Sequence, residues 1–362
     1  MLVSALVGRT TTQVLVGALQ TPIPNPRVLK KNFPNPKDPQ GLKEVLRNVR
    51  KARSSLPLWD VLTRKAKDDV KAWFVERGNK KGVPFGALIE YFRTHQETVQ
   101  ENYQHLWNTD LYYPDYYTQT FHGYETGNLS FEAAEDCLPA TLSMSITYWP
   151  HTSPVVTADW MRHNYTDALL DYCLNDAGMA VPPKTIVDLA GSVGVSTQSL
   201  LQSFPKANVA LVDLSPHFLA TAKMFLETSD SYIYEPTAQK RVTYHHELAE
   251  DTPFEDDSRD VVSMSFLIHE LPSKVTVQVL CEALRILKPG GVVSILDLES
   301  SVLQRLPPIR RFLFGVTEPH IYDYCQNTNL VKMMEEVGFV GIKQDPNDPM
   351  NTRTMGTKPK RA

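Results

Sequence analysis

The chain has 362 residues, of which 42% are hydrophobic and 22% charged, with a formal net charge of −4 at pH 7. This composition predicts a soluble globular protein of one or two domains, and without a strongly basic balance it predicts no nucleic-acid partner. Four scattered cysteines without a C-x-x-C pair indicate neither a metal site nor redox chemistry. No apolar run reaches the roughly 20 residues that a membrane span requires.

The first segment, residues 1–40, has an unusual charge distribution. Up to Lys37 it contains no Asp or Glu, although it contains five Lys or Arg residues and several Ser and Thr residues. This is the composition of an organellar transit peptide, which would direct the protein to a plastid or a mitochondrion. The alternative is a disordered, proline-rich tail, and in that case we expect a cytoplasmic protein.

The second segment, residues 41–165, is predicted to be mainly helical. Four apolar residues between Leu62 and Trp73 have helical spacing, and a second helical pattern runs from Phe85 to Tyr103. The following run, residues 103–131, is rich in aromatic residues and forms either a lid over a binding cleft or a seam between domains. Three of its residues are candidates for contact with a small-molecule acceptor: Tyr117, His122 and Tyr124.

The third segment, residues 166–362, begins with a nucleotide-binding pattern. Thr185 to Leu189 predicts a buried parallel strand, a turn of small residues follows, and a helix leads to a second strand that ends at Asp213. An acidic residue in that position is placed to accept hydrogen bonds from ribose hydroxyls. The turn has glycine only at Gly191 and Gly194, which is not the G-x-G-x-x-G register of a dinucleotide-binding loop.

The spacing of the turn instead resembles motif I of class I S-adenosylmethionine (SAM) methyltransferases, D/E-x-G-x-G-x-G. The matching residues are Asp188, Ala190, Ser192 and Gly194, so Ala and Ser replace the first two glycines of the motif. Further sequences agree with the family in order: LVDLSP, AEDTPF, FLIHELP with LKPGG, and a closing hairpin. The sequences FHGYETGNLS, HELP and TEPHIYDY resemble a subgroup found in plants, algae and bacteria.

The resemblance implies an α/β fold: a Rossmann-like, seven-stranded, doubly wound sheet with an antiparallel last strand, preceded by a mainly helical extension. It implies SAM as cofactor, with Asp188 near its methionine portion and Asp213 at its ribose. In the family the loop that AEDTPF resembles contacts the adenine, which implies a contact through Glu250 or Asp251, or through backbone groups of the loop alone. The full set of implied cofactor residues is Asp188, Ala190, Gly191, Ser192, Gly194, Asp213, Leu214, Glu250, Asp251 and Phe266.

His269 and Glu270 follow the predicted fourth strand, Asp260 to Phe266, and are the candidate catalytic residues. Ligands bind at the carboxyl ends of parallel strands, so both residues are placed where the methyl group is delivered. His269 is a candidate general base, and the alternative is that it orders the loop. The predicted irregular insertion at residues 299–324 supplies three further candidates for the acceptor pocket: Glu318, His320 and Tyr322.

These patterns predict a SAM-dependent methyltransferase that acts on a small organic metabolite. Two alternatives belong to other classes: a non-catalytic binding protein with the SAM fold, and an NAD(P)-dependent oxidoreductase, which the glycine register disfavours. Neither the acceptor nor the oligomeric state follows from the sequence.

Overall fold

A computed structural model describes residues 72, 75–122, 124–146, 149, 152–305, 315 and 317–360. The predicted transit peptide and the four apolar positions of the predicted helix at residues 62–73 lie outside this part of the chain. Among the described residues, no helix combines the length and apolar composition that crossing a bilayer requires.

Seven strands in the described chain form one sheet with the order β3-β2-β1-β4-β5-β7-β6. The first five pair in parallel, whereas β7 runs antiparallel to its neighbours β5 and β6. The prediction of a doubly wound sheet with an antiparallel last strand is therefore confirmed. The strands are β1 (Thr185–Leu189), β2 (Asn208–Asp213), β3 (Val242–His246), β4 (Arg259–Ser265), β5 (Leu287–Leu298), β6 (Val340–Pro346) and β7 (Asn351–Thr357).

Helices cover both faces of the sheet and precede it in the chain. Two short turns accompany them: a π-helical turn at Tyr172–Asp176 and a 3₁₀ turn at Ile268–Glu270. The α-helices are α1 (Phe85–Thr94), α2 (Gln96–Leu106), α3 (Phe131–Ser145), α4 (Pro154–Asp171), α5 (Val195–Ser203), α6 (Pro216–Glu227), α7 (Ala238–Arg241), α8 (Ser273–Ile286), α9 (Ser300–Gln304), α10 (Ile321–Asn327) and α11 (Leu330–Val337).

Alternation along the strands divides the apolar core into two layers. Ile186 of β1 packs on the side of α4, α5 and α6, while its neighbour Val187 packs on the side of α8 and α11. Successive strand residues point to opposite faces, so each buried parallel strand contributes to both layers. Helix α4 is fixed across the sheet by Tyr165, whose hydroxyl lies 2.9 Å from Ser263 Oγ and donates to the Ser294 carbonyl at 3.0 Å.

Two predicted elements differ in the structure. The helix predicted from Phe85 to Tyr103 is two helices, because the Thr94 hydroxyl donates to the Tyr91 carbonyl and the His95 ring contacts it, which ends α1. Part of the insertion predicted to be irregular is helical, as α9 and α10. Helix α8 begins at Ser273, and Asp323 accepts the backbone N–H of this residue at 2.6 Å.

Candidate active site

The turn between β1 and α5 has the positive φ angles expected of a glycine-rich motif, although two of the positions are not glycine. Ala190, Ser192 and Gly194 have φ of 56°, 50° and 88°. The left-handed region costs a non-glycine residue roughly 1–2 kcal/mol. The turn therefore keeps the predicted motif I shape at the positions where Ala and Ser replace glycine, and a strained backbone of this kind is typical of ligand-binding turns.

The two glycines of this turn are explained by packing against the protein itself. A Cβ at Gly191 would lie 2.7 Å from Leu211 of β2, and one at Gly194 would lie 2.9 Å from Leu226 of α6. Both distances are too short for real contacts. Close packing of the turn on β2 and α6 therefore requires glycine at both positions.

Asp188 lies beneath the turn and is fully buried. One carboxylate oxygen, Oδ2, accepts hydrogen bonds from the hydroxyls of Ser196 and Thr197, each at 2.7 Å. The other oxygen, Oδ1, has no hydrogen-bond partner. Burial raises the pKa of this carboxyl to about 6, although the hydrogen bonds from the two hydroxyls lower it. A buried acceptor without a donor is costly, and a bound ligand with an N–H or O–H group would satisfy it.

Asp213 ends β2 beside the same turn. Its carboxylate accepts the backbone N–H of Ser192 at 2.9 Å and that of Ser215 at 2.8 Å. Burial raises its pKa to about 6, although these two bonds lower it. A carboxylate has about four acceptor positions, so two remain for ribose hydroxyls. The next residue, Leu214, is buried, and its carbonyl lies 3.0 Å from the His246 ring.

The predicted adenine loop follows β3. Tyr116, from the aromatic segment before α3, donates its hydroxyl to Glu250 at 2.6 Å. Burial raises the pKa of Glu250, and this hydrogen bond lowers it. Asp251 is exposed, and its backbone pairs with Leu248. The structure thus connects the aromatic segment directly to Glu250, a contact that the sequence analysis did not predict.

His269 is held by Asp297, the next-to-last residue of β5. Its Nδ1 lies 2.7 Å from Asp297 Oδ1, and Asp297 Oδ2 accepts the backbone N–H groups of Ile268 and His269. Burial lowers the pKa of His269. The charge of Asp297 and its hydrogen bond raise the pKa by a larger amount, so that the result is about 9. The ring is therefore protonated at neutral pH, with Nε2 as the nitrogen available to an acceptor.

Glu270 lies in a second ion cluster beside His269. His122 Nε2 is 3.6 Å from Glu270 Oε1 and 3.0 Å from Glu318 Oε1. Burial lowers the pKa of His122, but the two carboxylates raise it to about 9. Burial raises the pKa of Glu270 to about 7, although His122 and His269 lower it. Glu318 Oε2 is buried and has no hydrogen-bond partner.

The remaining predicted site residues lie at different distances from these two clusters. Tyr117 stacks on Tyr113, and both Asp213 and Glu270 act on its hydroxyl, so it lies between the two parts of the site. Phe266 directly follows β4 and has φ of 61°, and its ring centroid lies 6.5 Å from that of His269. His320 contacts the Tyr116 carbonyl at 3.3 Å. The Tyr124 hydroxyl donates to Asp136, and Tyr322 packs on the core layer that contains Ile268.

The sequence did not lead us to two contacts at this site, His269–Asp297 and Tyr116–Glu250, although a pattern in the sequence could have indicated the first. Asp297 is an acidic residue at the end of the strand next to β4, so it could have been paired with His269. Tyr116 was one aromatic residue among many, and its distance of 134 residues from Glu250 hid the contact.

Comparison with known proteins agrees with this geometry. A model of the methyltransferase domain matches residues 187–295. An uncharacterized methyltransferase of Synechocystis sp. is 31% identical over 164 residues, which cover 45% of this chain and 70% of that protein. The chain belongs to the class I SAM-dependent methyltransferases. The Asp188 turn and Asp213 lie within the matched residues, and SAM is the cofactor of the family.

Two relatives of this methyltransferase have named acceptors. Demethylmenaquinone methyltransferase of Clavibacter sepedonicus is 34% identical over 36% of this chain and 46% of its own length. The chloroplastic 2-methyl-6-phytyl-1,4-hydroquinone methyltransferase of Arabidopsis thaliana is 30% identical over 35% of this chain and 34% of its own length. The chain thus matches less than half of each of these two proteins.

Proposed function

We propose that this methyltransferase methylates a small organic acceptor that loses a proton in the reaction, of the hydroxylated aromatic (quinol) class. The observation that carries this proposal is the group of charged residues after β4, where His122 bridges Glu270 and Glu318 beside the His269–Asp297 pair. An acceptor that needed no proton removal would have no use for such a group. The names of two relatives support a ring of this kind: one prints a hydroquinone and the other demethylmenaquinone, the corresponding type of quinone.

The cofactor would be held by residues from three strand ends. Asp188 and the turn after it would contact the methionine portion, Asp213 the ribose, and the Glu250 loop with Tyr116 the adenine. The unpaired Asp188 Oδ1 and the two open acceptor positions of Asp213 fit this cofactor. Bound SAM supplies an electrophilic methyl group on a positively charged sulfur.

Glu270, rather than His269, is the proposed general base. A base is most effective when its pKa is near the working pH, and the Glu270 pKa of about 7 meets this condition. His269, with a pKa of about 9, is a cation that donates a hydrogen bond to the acceptor and stabilises negative charge on it. This reverses the predicted roles, in which His269 was the candidate base.

The segment before the sheet contributes to both parts of the site. Tyr116 reaches the adenine loop, and His122 reaches Glu270. We therefore propose that residues 41–165 act as the substrate and lid region of a SAM-binding domain at residues 166–362. Aromatic side chains there would exclude water and strengthen the electrostatic interactions of the site.

An organellar location is also proposed, on two grounds. Residues 1–37 lack acidic residues, and the Arabidopsis relative is named chloroplastic. Import of the full chain into isolated plastids or mitochondria, with removal of this segment, is the expected result. Retention outside both organelles would contradict it.

Methyl transfer tests the proposal directly. The protein is incubated with methyl-labelled SAM and either a prenylated 1,4-benzoquinol or the matching quinone, which has no hydroxyl proton to lose. We expect label in the quinol and none in the quinone. Transfer to neither, with SAM bound, would favour the non-catalytic alternative; binding of NADH instead of SAM would favour the oxidoreductase.

A further inference from the structure

Arg162 is a buried cation that the mechanism so far does not use. It lies on α4, and 6% of its surface is exposed. Two of its guanidinium nitrogens, Nε and Nη1, are buried and have no hydrogen-bond partner. Burial lowers its pKa, although nearby acidic groups oppose the shift. Buried arginines are normally paired, because desolvation of an unpaired charge is unfavourable.

The nearby acidic residues do not form ion pairs with Arg162. Within the described chain, no carboxylate oxygen lies within 4.0 Å of its guanidinium nitrogens. Asp348, which is near enough to act on it electrostatically, already accepts two hydrogen bonds from the Asn351 amide and further bonds from backbone N–H groups. Asp188 also acts on Arg162 through its charge, but among the described residues no side-chain carboxylate is in direct contact with the guanidinium.

Arg162 faces the carboxyl end of the sheet. Tyr165, one turn later on α4, is bonded to Ser263 in the middle of β4. The Arg162 guanidinium lies 5.4 Å from the ring centroid of Phe266, which directly follows β4. The charge of Arg162 also acts on Asp188 and on Cys137, whose sulfur is 3.3 Å from the Ser192 hydroxyl. Arg162 therefore lies beside the turn after β1.

Two unsatisfied groups of opposite charge thus occur on one side of this turn: the Arg162 guanidinium and Asp188 Oδ1. A ligand that satisfies both must carry an anion and a positively charged donor a short distance apart. An α-amino acid group has this arrangement, with a carboxylate for the guanidinium and an ammonium for the carboxylate. We propose that Arg162 binds the α-carboxylate of the methionine portion of SAM, while Asp188 Oδ1 accepts from its ammonium group.

This inference depends on the proposed function, because it assigns a residue to the cofactor site of that reaction. It adds a recognition element from outside the motif, supplied by the helix α4 that precedes the sheet. It also predicts which ligands the site distinguishes: those with an intact amino acid group and those without one.

Calorimetric binding tests the inference without any turnover. SAM and 5′-methylthioadenosine, which lacks the amino acid portion, are titrated into the wild-type protein, Arg162→Met and Arg162→Lys. Charge-assisted hydrogen bonds of this kind correspond to about 10- to 100-fold in affinity. We expect SAM to bind Arg162→Met about 10- to 100-fold more weakly than the wild type, and to bind Arg162→Lys with an affinity between these two. The affinity for 5′-methylthioadenosine should be the same within about twofold in all three proteins.

Stability of the unliganded protein separates this role from a structural one. Since Arg162 has neither a hydrogen-bond nor an ion-pair partner among the described side chains, Arg162→Met should unfold at the same temperature as the wild type or a higher one. Unchanged SAM affinity in both variants would overturn the inference, as would equal weakening of SAM and 5′-methylthioadenosine. Failure of the wild-type protein to bind SAM would instead overturn the proposed function.

Discussion

The two parts of the site are built in different ways. Most of the proposed cofactor part comes from a nearly continuous stretch, residues 185–215, and its features are backbone angles and carboxylates with open acceptor positions. The acceptor part combines His122, Glu270 and Glu318, which are far apart in the chain and act through their charges. We therefore propose that cofactor affinity and proton transfer depend on separate groups, so a mutation in one part should leave the function of the other part unchanged.

The largest expected effect is on turnover, from Glu270→Gln. Loss of a general base lowers rates by about 100- to 10,000-fold, and SAM affinity should remain unchanged. For the wild type, Glu270 must be deprotonated and His269 protonated, so kcat/KM should fall about tenfold per pH unit below the Glu270 pKa of about 7 and begin to fall again near the His269 pKa of about 9. The variant should lose the decrease at low pH. Steady-state kinetics with labelled SAM from pH 5 to 9 measure both.

The matched control is Glu335→Gln, at an exposed position of α11. It removes the same charge without touching the site, and it should keep the wild-type rate and pH profile. If kcat/KM of Glu270→Gln still fell at low pH as in the wild type, the proton would be transferred to another group.

The smallest expected effect concerns the backbone of the cofactor part. Ala190 has φ of 56°, so Ala190→Gly should relieve strain and raise the free energy of unfolding by about 0.5–1 kcal/mol after allowing for the greater entropy of glycine in the unfolded chain. Ala220→Gly, in the middle of α6, is the control and should lower it by about 1 kcal/mol. Urea denaturation measures both. Destabilisation by Ala190→Gly would show that the side chain of Ala190 matters more than its backbone.

The same difference explains what the sequence could predict. The β1–α5 turn and Asp213 were found because their residues are close in sequence and their spacing reflects local geometry. His122 and Glu318 were singled out individually, but their meeting depends on how the chain before the sheet packs against the insertion after β5. Arg162 had no signal, because a single Arg on a polar helix is normally exposed, and only tertiary packing buries it.

The central claim is that the carboxyl edge of this sheet seats SAM with Asp213 at its ribose. Calorimetric titration of SAM into the wild-type protein and Asp213→Ala tests it most directly. We expect one SAM bound per chain, and about 10- to 100-fold weaker binding in the variant, since hydrogen bonds to a charged group are lost. Equal affinity in the two proteins, or no binding of SAM at millimolar concentration, would contradict the claim.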